Sequence, residues 1–498
     1  WKQRHGVVRD RRWRLSMGWR DAAAPLRMQR VALVCPKAGL RDMLVHVADA
    51  GVVEIDRTTP AGSAGGAASL GGARPAGSPE PRLCTTAPDP ADLERVGRDD
   101  LLAGEAELRS YADEAVVRDG LAALAGWVPT TELPHLTSRL ADVGAGVVPI
   151  PAPRGVDPPT LLQRGKGMRR SFTPLVETYG TVPYADVDPS ALAGVAYVLM
   201  FGMMFGDAGH GALLVVLGFL MRAGRPRAVA RFQKGWPFVV GSGLAAIVFG
   251  LLYGEFFGPT GVVPVLWLAP LDKPVTLMAV ALGVGAVFLA GAQIIGTVNR
   301  WREGGWPLAL SASSGIAGAA LLAGLGIIAF GVIGRLPWLI LAGALVMAGG
   351  IALAYIGFLA AAGSGGAGIT QASVEVFDAV MRVGTNLISF IRLAAFGLTH
   401  AALGMIVWDG TAALARSGGV LVAAAVVVFI VGNVLAFGLE ALVAGVQALR
   451  LEYYELFSRI FVSEGRPFRP WHVPTDRNGE FQSINGSTLI GATLGRKP

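Results

Sequence analysis

Long apolar runs fill the chain from Ala191 to Val462, whereas charged residues, polar residues and prolines crowd the first 185 positions. A run of about 20 apolar residues forms a helix that can cross the roughly 30 Å of hydrocarbon in a bilayer. With 52% hydrophobic and 16% charged residues, the 498-residue chain is too apolar for a soluble protein of this size. The sequence therefore predicts an α-helical membrane protein with a soluble N-terminal part.

Eight apolar segments have the length expected of transmembrane helices, although the first two are separated by Phe205 to His210 alone. A continuous seventh helix from Val374 to Trp408 would rise about 52 Å, which is more than the hydrocarbon requires. The eighth segment is equally long, so we expect the last two helices to be long and tilted. The predicted spans lie near residues 190–204, 208–222, 235–256, 275–298, 308–333, 337–361, 372–408 and 418–450.

The basic residues predict the orientation of these helices. The net charge of +7 comes largely from arginines at the N-terminus and beside the apolar spans, which is typical of cytoplasmic loops and does not indicate a nucleic-acid partner. Eight spans with both termini inside satisfy this rule, so we expect a multi-pass protein of the cell membrane with cytoplasmic termini. The predicted cytoplasmic set is Arg222, Arg225, Arg227, Arg231, Lys234, Arg300, Arg302, Arg459, Arg466 and Arg469.

The N-terminal part shows the pattern of a small α/β domain. An apolar run, an amphipathic stretch and a second apolar run follow one another from Arg30 to Asp56, and the same order recurs from Gly126 to Ile150. Two such units predict a split β-α-β fold. The predicted boundaries are an extension or disordered segment over 1–27, the cytoplasmic domain over 28–185 with a low-complexity linker over 58–90, the transmembrane domain over 186–462 and a cytoplasmic tail over 463–498.

Several kinds of chemistry have no signal in the sequence. Cys35 and Cys84 are too few for a disulfide framework and lack the spacing of a metal site. The chain has no GxxxxGK[ST] loop, so we expect no nucleotide site of its own. The sequence predicts no cofactor and no metal site.

Ionisable residues in the last two apolar segments are the candidate functional residues, because charges at membrane depth are costly and usually face protein or water. Arg392 lies in the seventh segment with apolar residues on both sides, and His400 follows eight positions later. Glu440 lies in an apolar run of the eighth segment. An arginine stays charged, so it can hold a facing carboxylate ionised and block ion leakage, whereas His400 and Glu440 can exchange protons.

Further polar residues extend this set towards a possible half-channel. Asp378 precedes Arg392 by fourteen residues, and Gln447 and Arg450 follow Glu440. Structural alternatives stay open for all of them. Arg392 could pair with Glu440 to join two helices, His400 could serve as an interhelical hydrogen bonder, Arg450 could extend to the interface, and Asp378 could form an exposed pair with Arg382.

At these residues the sequence resembles the a (or I) subunit family of V-type and A-type rotary ATPases. The resemblance covers roughly residues 30 to 471, and its blocks at Phe201 and Ser389 are the specific ones. The blocks are WVP at Trp127, ETYGTVPYADVDPS at Glu177, FGMMFGDAGHGALL at Phe201, GLLYGEFFG at Gly250, SFIRLAAFGLTHAALG at Ser389 and EALVAGVQALRLEYYELFSRIFVSEGRPFRPW at Glu440.

The resemblance implies a stator subunit that translocates ions, with protons as the expected ion, while other subunits carry the ATP chemistry. Arg392 would then be the essential arginine that faces the ring, between half-channels lined by Glu440, His400, Asp378, Gln447 and Arg450. The implied partners are the proteolipid c/K ring, the peripheral stalk subunits E/G, the cytoplasmic rotary ATPase subunits and the lipid bilayer. The coiled-coil arm of the family is reduced here to a linker and a short segment.

Two other classes of function remain alternatives. A secondary transporter for an anionic solute would use Arg392 as the counter-charge of its substrate, but the chain shows no duplication between its two halves of four spans. A structural paralogue that does not conduct ions would account for the shortened cytoplasmic domain. The presence of Arg392, His400 and Glu440 argues against that second alternative.

Overall fold

A computed structural model gives the fold of the chain. It describes residues 25–56, 80–153, 156–162, 169–224, 233–312, 314–363, 365–461 and 465–476. The chain divides into two compact units, one made of Leu26–Leu161 and Pro467–Pro498, the other of Trp1–Pro25 and Leu162–Arg466. The extension predicted over 1–27 and the linker predicted over 58–90 fall largely outside the described residues.

The first unit is built on an antiparallel sheet. Its strands are β1 (Met28–Pro36), β2 (Glu54–Ile55), β3 (Val116–Arg118), β4 (Leu121–Pro129) and β5 (Gly146–Pro149), and its helices are α1 (Leu40–Ala50), α2 (Pro90–Val96), α3 (Asp99–Asp113) and α4 (Leu133–Ala141). The strand order is β2-β4-β1-β5, with β3 also paired to β4. Both β-α-β units therefore have a strand of the other unit between their own strands, which confirms the predicted split arrangement.

From Val31 onwards, every second side chain of the central strand β1 is buried in the core of this unit. Val31, Leu33 and Cys35 are buried from β1, and Leu124 opposes Leu33 on β4. Leu136 of α4 completes the buried layer. The segment 90–122 is helical only as far as Asp113 in α3, because its last residues form β3 and the start of β4.

Residues 467–476 also fold with this sheet. Trp471 is 5% exposed, and its backbone N–H donates to the carbonyl of Val53 at 2.8 Å. The backbone N–H of Val473 donates to Ala48 at 3.2 Å, and Asp476 forms an ion pair with Arg98 at 2.9 Å. A strand-like segment more than 300 residues downstream thus contributes to the core of the N-terminal domain.

The second unit is helical. Among its described residues, six helices are long and apolar enough to cross a membrane, and two shorter apolar helices of 15 and 16 residues occupy the first two predicted spans. The helices are α5 (Arg169–Tyr179), α6 (Ser190–Met204), α7 (Ala208–Ala223), α8 (Trp236–Tyr253), α9 (Pro274–Ser311), α10 (Ile316–Ile333), α11 (Pro337–Ala362), α12 (Gly366–Ser389), α13 (Ile391–Ser417) and α14 (Leu421–Leu451).

Proline and glycine set many of the helix ends. Pro274 and Pro337 occupy the first positions of α9 and α11, where the missing N–H costs nothing. Gly254 ends α8 in the left-handed conformation, with φ of 77°. Gly305, with φ of 70°, interrupts α9 beyond the length that a membrane requires.

The last two predicted spans are long, as expected. The seventh runs from Gly366 to Ser417 with one interruption at Phe390, between α12 and α13. The eighth continues beyond α14 through a π-helical turn, Glu452–Phe457, and ends at Ile460. π-helical turns occur frequently at functional sites, because the widened turn redirects the side chains that follow it.

Candidate functional site

Arg392 lies in the first turn of α13, directly after the interruption at Phe390. Its side chain is partly buried, and its Nη1 atom has no hydrogen-bond partner among the described residues. The nearby acidic group is Glu455, which is 6% exposed and lies within electrostatic range of both Arg392 and Arg450. A cation with an unused donor next to a largely buried carboxylate can attract a second anion from outside the chain.

His400 and Glu440 form the one direct contact among the predicted site residues. Nδ1 of His400 forms a hydrogen bond with the carboxylate of Glu440, which joins α13 to α14. His400 is 4% exposed. The alternative pairing of Glu440 with Arg392 is absent among the described side chains, because Glu440 faces the histidine two turns further along α13.

The His400–Glu440 contact also determines which residues of α13 and α14 lie side by side along the helix axes. α13 and α14 run antiparallel, so Arg392, eight residues before His400, is level with the residue eight positions after Glu440. That position is adjacent to Gln447, whose Oε1 lacks a hydrogen-bond partner among the described residues. Arg392 and the His400–Glu440 pair are therefore separated by about 12 Å along the helix axis.

Asp378 and Arg450 lie apart from this pair. The carboxylate of Asp378 pairs with Arg382 one turn later on α12, and both side chains are exposed, at 56% and 60%. Arg450 is exposed near the end of α14. The geometry thus matches the structural alternatives for these two residues, and any role in transport stays a prediction.

Three residues that the sequence did not single out complete a buried cluster around His400. Asp207, His210 and Glu255 are 0%, 2% and 5% exposed. Oε2 of Glu255 lies 3.9 Å from Nε2 of His400, and the rings of His210 and His400 are 5.6 Å apart. Asp207 directly precedes α7 and His210 lies in its first turn. The signal in the sequence was the pair of ionisable residues inside the block FGMMFGDAGHGALL, which the resemblance included without a role for either residue.

Asp207 positions this cluster through its carboxylate. Oδ1 accepts the backbone N–H groups of His210 at 2.8 Å and Phe257 at 3.0 Å, and Oδ2 accepts that of Gly258 at 2.8 Å. The first bond is an N-cap of α7, and the other two hold the turn that follows α8. One side chain therefore fixes two segments that each carry an ionisable residue of the cluster.

The turn after α8 packs closely against the backbone of α13. Gly258 has φ of 88°, a conformation that favours glycine, and packs against the backbone of Gly404. A Cβ atom on Gly404 would lie 2.9 Å from the Cα of Gly258, which is too close. Because Gly404 is one turn after His400, the absence of a side chain there lets Glu255 approach the histidine.

Comparison with known proteins shows which family the chain resembles. Residues 114–262 match the V-type ATPase 116kDa subunit family. A-type ATP synthase subunit I of Pyrococcus horikoshii is 25% identical over 389 residues, which cover 75% of this chain and 57% of the relative. Over most of its length the chain is therefore similar to subunit I of V-type and A-type ATPases.

Two further relatives show the same similarity. A-type ATP synthase subunit I of Aeropyrum pernix is 26% identical over 381 residues, which cover 65% of this chain and 52% of the relative. V-type ATP synthase subunit I 2 of Treponema pallidum is 35% identical over 168 residues, which cover 31% of this chain and 35% of the relative. The chain spans about half the length of the archaeal subunit I relatives that it matches.

Proposed function

We propose that this subunit I homologue translocates ions, with protons as the ion, as the membrane stator of a rotary ATPase. In this proposal Arg392 faces the proteolipid c/K ring and separates two half-channels. The ATP chemistry takes place on other subunits of the complex. The observation that carries the proposal is that Nη1 of Arg392, at the break between α12 and α13, has no hydrogen-bond partner in the part of the chain that the structure describes.

The two half-channels are proposed from the distribution of ionisable residues about Arg392. On one side along α13 lie His400 and Glu440, together with the buried cluster around them. On the other side, towards α12 and the end of α14, lie Asp378, Gln447, Arg450 and the buried Glu455. Protons can pass between carboxylates, histidines and water on each side, whereas the fixed guanidinium charge repels a proton at the level between them.

An unpartnered face of α14 supports the proposed ring contact. In the most apolar part of the last span, only 11% of the residues are buried within the chain. The large apolar side chains Leu435, Leu439, Leu442 and Val446 are exposed along it. Their spacing of three or four residues places them on one helical stripe, which is suited to packing against another apolar helix.

The remaining partners and the topology are part of the same proposal. The subunit would lie in the cell membrane with cytoplasmic termini, since basic residues concentrate in alternate loops. Its soluble unit would contact the peripheral stalk subunits E/G and the cytoplasmic rotary ATPase subunits.

Replacement of Arg392 tests the proposal. We expect Arg392→Ala to abolish ATP-driven proton uptake in vesicles that contain the assembled complex, because the ring carboxylate would lose the cation that drives its deprotonation. Arg416→Ala is the matched control, since Arg416 lies on the same helix but is exposed at its end. Proton uptake is followed by fluorescence quenching, and assembly by copurification of the ring.

Assembly and transport must be separated in this experiment. The proposal expects Arg392→Ala complexes to retain the ring and to lose uptake, while Arg416→Ala complexes keep both. Uptake at the normal rate by assembled Arg392→Ala complexes would exclude Arg392 as the separator of the half-channels.

A further inference from the structure

We propose that the buried cluster of Asp207, His210 and His400 is a binding site for a divalent transition-metal ion of the Zn²⁺ class. Each of these residues offers one ligand atom, and the three atoms lie within 4.8 Å of one another. All three residues are buried. The site shares His400 with the proposed half-channel, but it does not include Arg392.

The strongest argument for a ligand is His210. Its side chain is 2% exposed, yet neither Nδ1 nor Nε2 has a hydrogen-bond partner among the described residues. Nδ1 lies 3.9 Å from Oδ1 of Asp207, and the amide of Asn433 faces the ring at longer range. Burying a polar ring without partners costs free energy, which coordination of a metal ion by one ring nitrogen would offset.

His400 has the orientation expected of a metal ligand. Its Nδ1 faces the carboxylate of Glu440, so Nε2 is the nitrogen left to bind a metal ion. A ligating histidine usually directs its other ring nitrogen to a carboxylate, which fixes the tautomer and raises the basicity of the ligand. Glu440 would therefore orient His400 through this hydrogen bond and would not itself bind the metal ion.

Two carboxylates complete the donor set. Oδ2 of Asp207 accepts a single backbone N–H, so it retains a lone pair for a cation. Oε2 of Glu255 lies 3.9 Å from Nε2 of His400 and is placed to supply a fourth ligand. Two carboxylates and a divalent cation carry no net charge together, which lowers the cost of burying the ion.

The donor types select the class of metal. Mg²⁺ and Ca²⁺ prefer oxygen ligands, whereas two imidazoles with carboxylates suit Zn²⁺ and similar ions. In a tetrahedral site with bonds of about 2.0 to 2.1 Å, ligand atoms lie roughly 3.3 Å apart. The ligand atoms of Asp207, His210 and His400 lie within 4.8 Å of one another, so the most distant of them would approach by up to about 1.5 Å to reach that separation.

Metal binding to the purified full-length chain in detergent tests the inference. We expect the wild-type chain to retain one Zn²⁺ per molecule after dialysis, and His210→Ala to bind it at least about 100-fold more weakly, as expected for removal of a direct ligand. His135→Ala is the matched control, because His135 is exposed on α4 in the other unit. Metal content is measured by mass spectrometry and affinity by competition with a chelator.

Co²⁺ substitution identifies the ligands. The proposed nitrogen and oxygen donors predict a visible absorption spectrum of a four-coordinate ion without the intense near-ultraviolet bands that thiolates produce. Such thiolate bands would place the metal at Cys35 or Cys84 and overturn the proposal. Equal Zn²⁺ binding by the wild type and by His210→Ala would overturn it too.

A second variant keeps the test valid if His210→Ala does not fold. His400→Gln keeps the approximate size of the side chain and removes a ligand from α13, so it should lose Zn²⁺ as well. Normal elution and circular dichroism establish that each variant is folded. These readouts require no pumping, so failure of the metal site and failure of the proposed transport function are distinguishable.

Discussion

Asp207 illustrates how a single side chain can hold a membrane-depth cluster together. Its carboxylate is fully buried and accepts three backbone N–H groups from two separate segments. Those donors come from the first turn of α7 and from the turn after α8. Loss of the carboxylate would leave all of them without a partner in an apolar environment, where an unmade hydrogen bond is expensive.

We therefore expect Asp207→Ala to destabilise the protein by roughly 3 kcal/mol or more, from three unsatisfied donors at about 1 kcal/mol or more each. Thermal unfolding of the full chain in detergent measures the effect. Asp188→Ala is the control, because Asp188 accepts one half-buried N–H, that of Ser190 at 2.9 Å. Its loss should cost about 1 kcal/mol, and an equal effect of the two variants would contradict this account of Asp207.

At the scale of elements, the loop before α6 is tied to α9 through polar groups. The side-chain oxygen of Asn299 accepts the N–H of Val187 at 3.0 Å, and its amide donates to the carbonyl of Ile460 at 2.9 Å. Asp186, in the same loop, is fully buried, and neither of its carboxyl oxygens has a hydrogen-bond partner within the described residues. Burial, together with the negative charge of the neighbouring Glu303, raises the pKa of Asp186 to about 7.

This shift predicts a pH dependence of stability. The folded chain binds the proton of Asp186 more tightly than the unfolded chain, where the pKa is near 3.8. Its contribution is fully present below about pH 4 and is lost as the pH rises through about 7, with a magnitude of up to about 4 kcal/mol. Melting temperatures of the full chain in detergent between pH 4 and 8 measure the loss.

Asp186→Asn should flatten the pH dependence over that interval, because the amide stays neutral throughout. Asp188→Asn, two positions along the same loop, serves as the control and should preserve it. An unchanged slope in Asp186→Asn would show that another group is responsible.

At the scale of the whole molecule, the N-terminal unit is completed by residues from the far end of the chain. The ring of Trp471 packs against Tyr111 with centroids 4.4 Å apart, and its indole N–H donates to Glu107 at 3.0 Å. Thr475 donates to Asp49 at 2.8 Å. The stability of this unit therefore depends on the segment that follows the last membrane helix.

Trp471→Ala should destabilise this unit by about 3 to 5 kcal/mol, as expected for the loss of a buried tryptophan. Limited proteolysis with mapping of the cleavage sites should then show faster cutting within residues 26–161. Trp301→Ala is the control, because Trp301 is 49% exposed and its loss should change little. Unchanged proteolysis of Trp471→Ala would show that the segment is not needed to stabilise the sheet.

Local patterns in the sequence predicted the elements well. Apolar runs predicted the membrane helices, since backbone hydrogen bonds must be satisfied within each helix in a bilayer. The repeated β-α-β rhythm predicted the split sheet. The sequence also indicated Arg392, His400 and Glu440, because an ionisable residue inside an apolar run is conspicuous without any knowledge of its neighbours.

The partners of those residues were decided only by tertiary structure. His400 pairs with Glu440, and Glu255 approaches His400, because four helices and one turn pack together. The spacing of apolar residues along one segment does not predict such packing. The docking of Trp471 on a sheet more than 300 residues earlier is equally non-local. The sequence by itself determined which segments enter the membrane and which of them carry charge, and packing determined which charges meet.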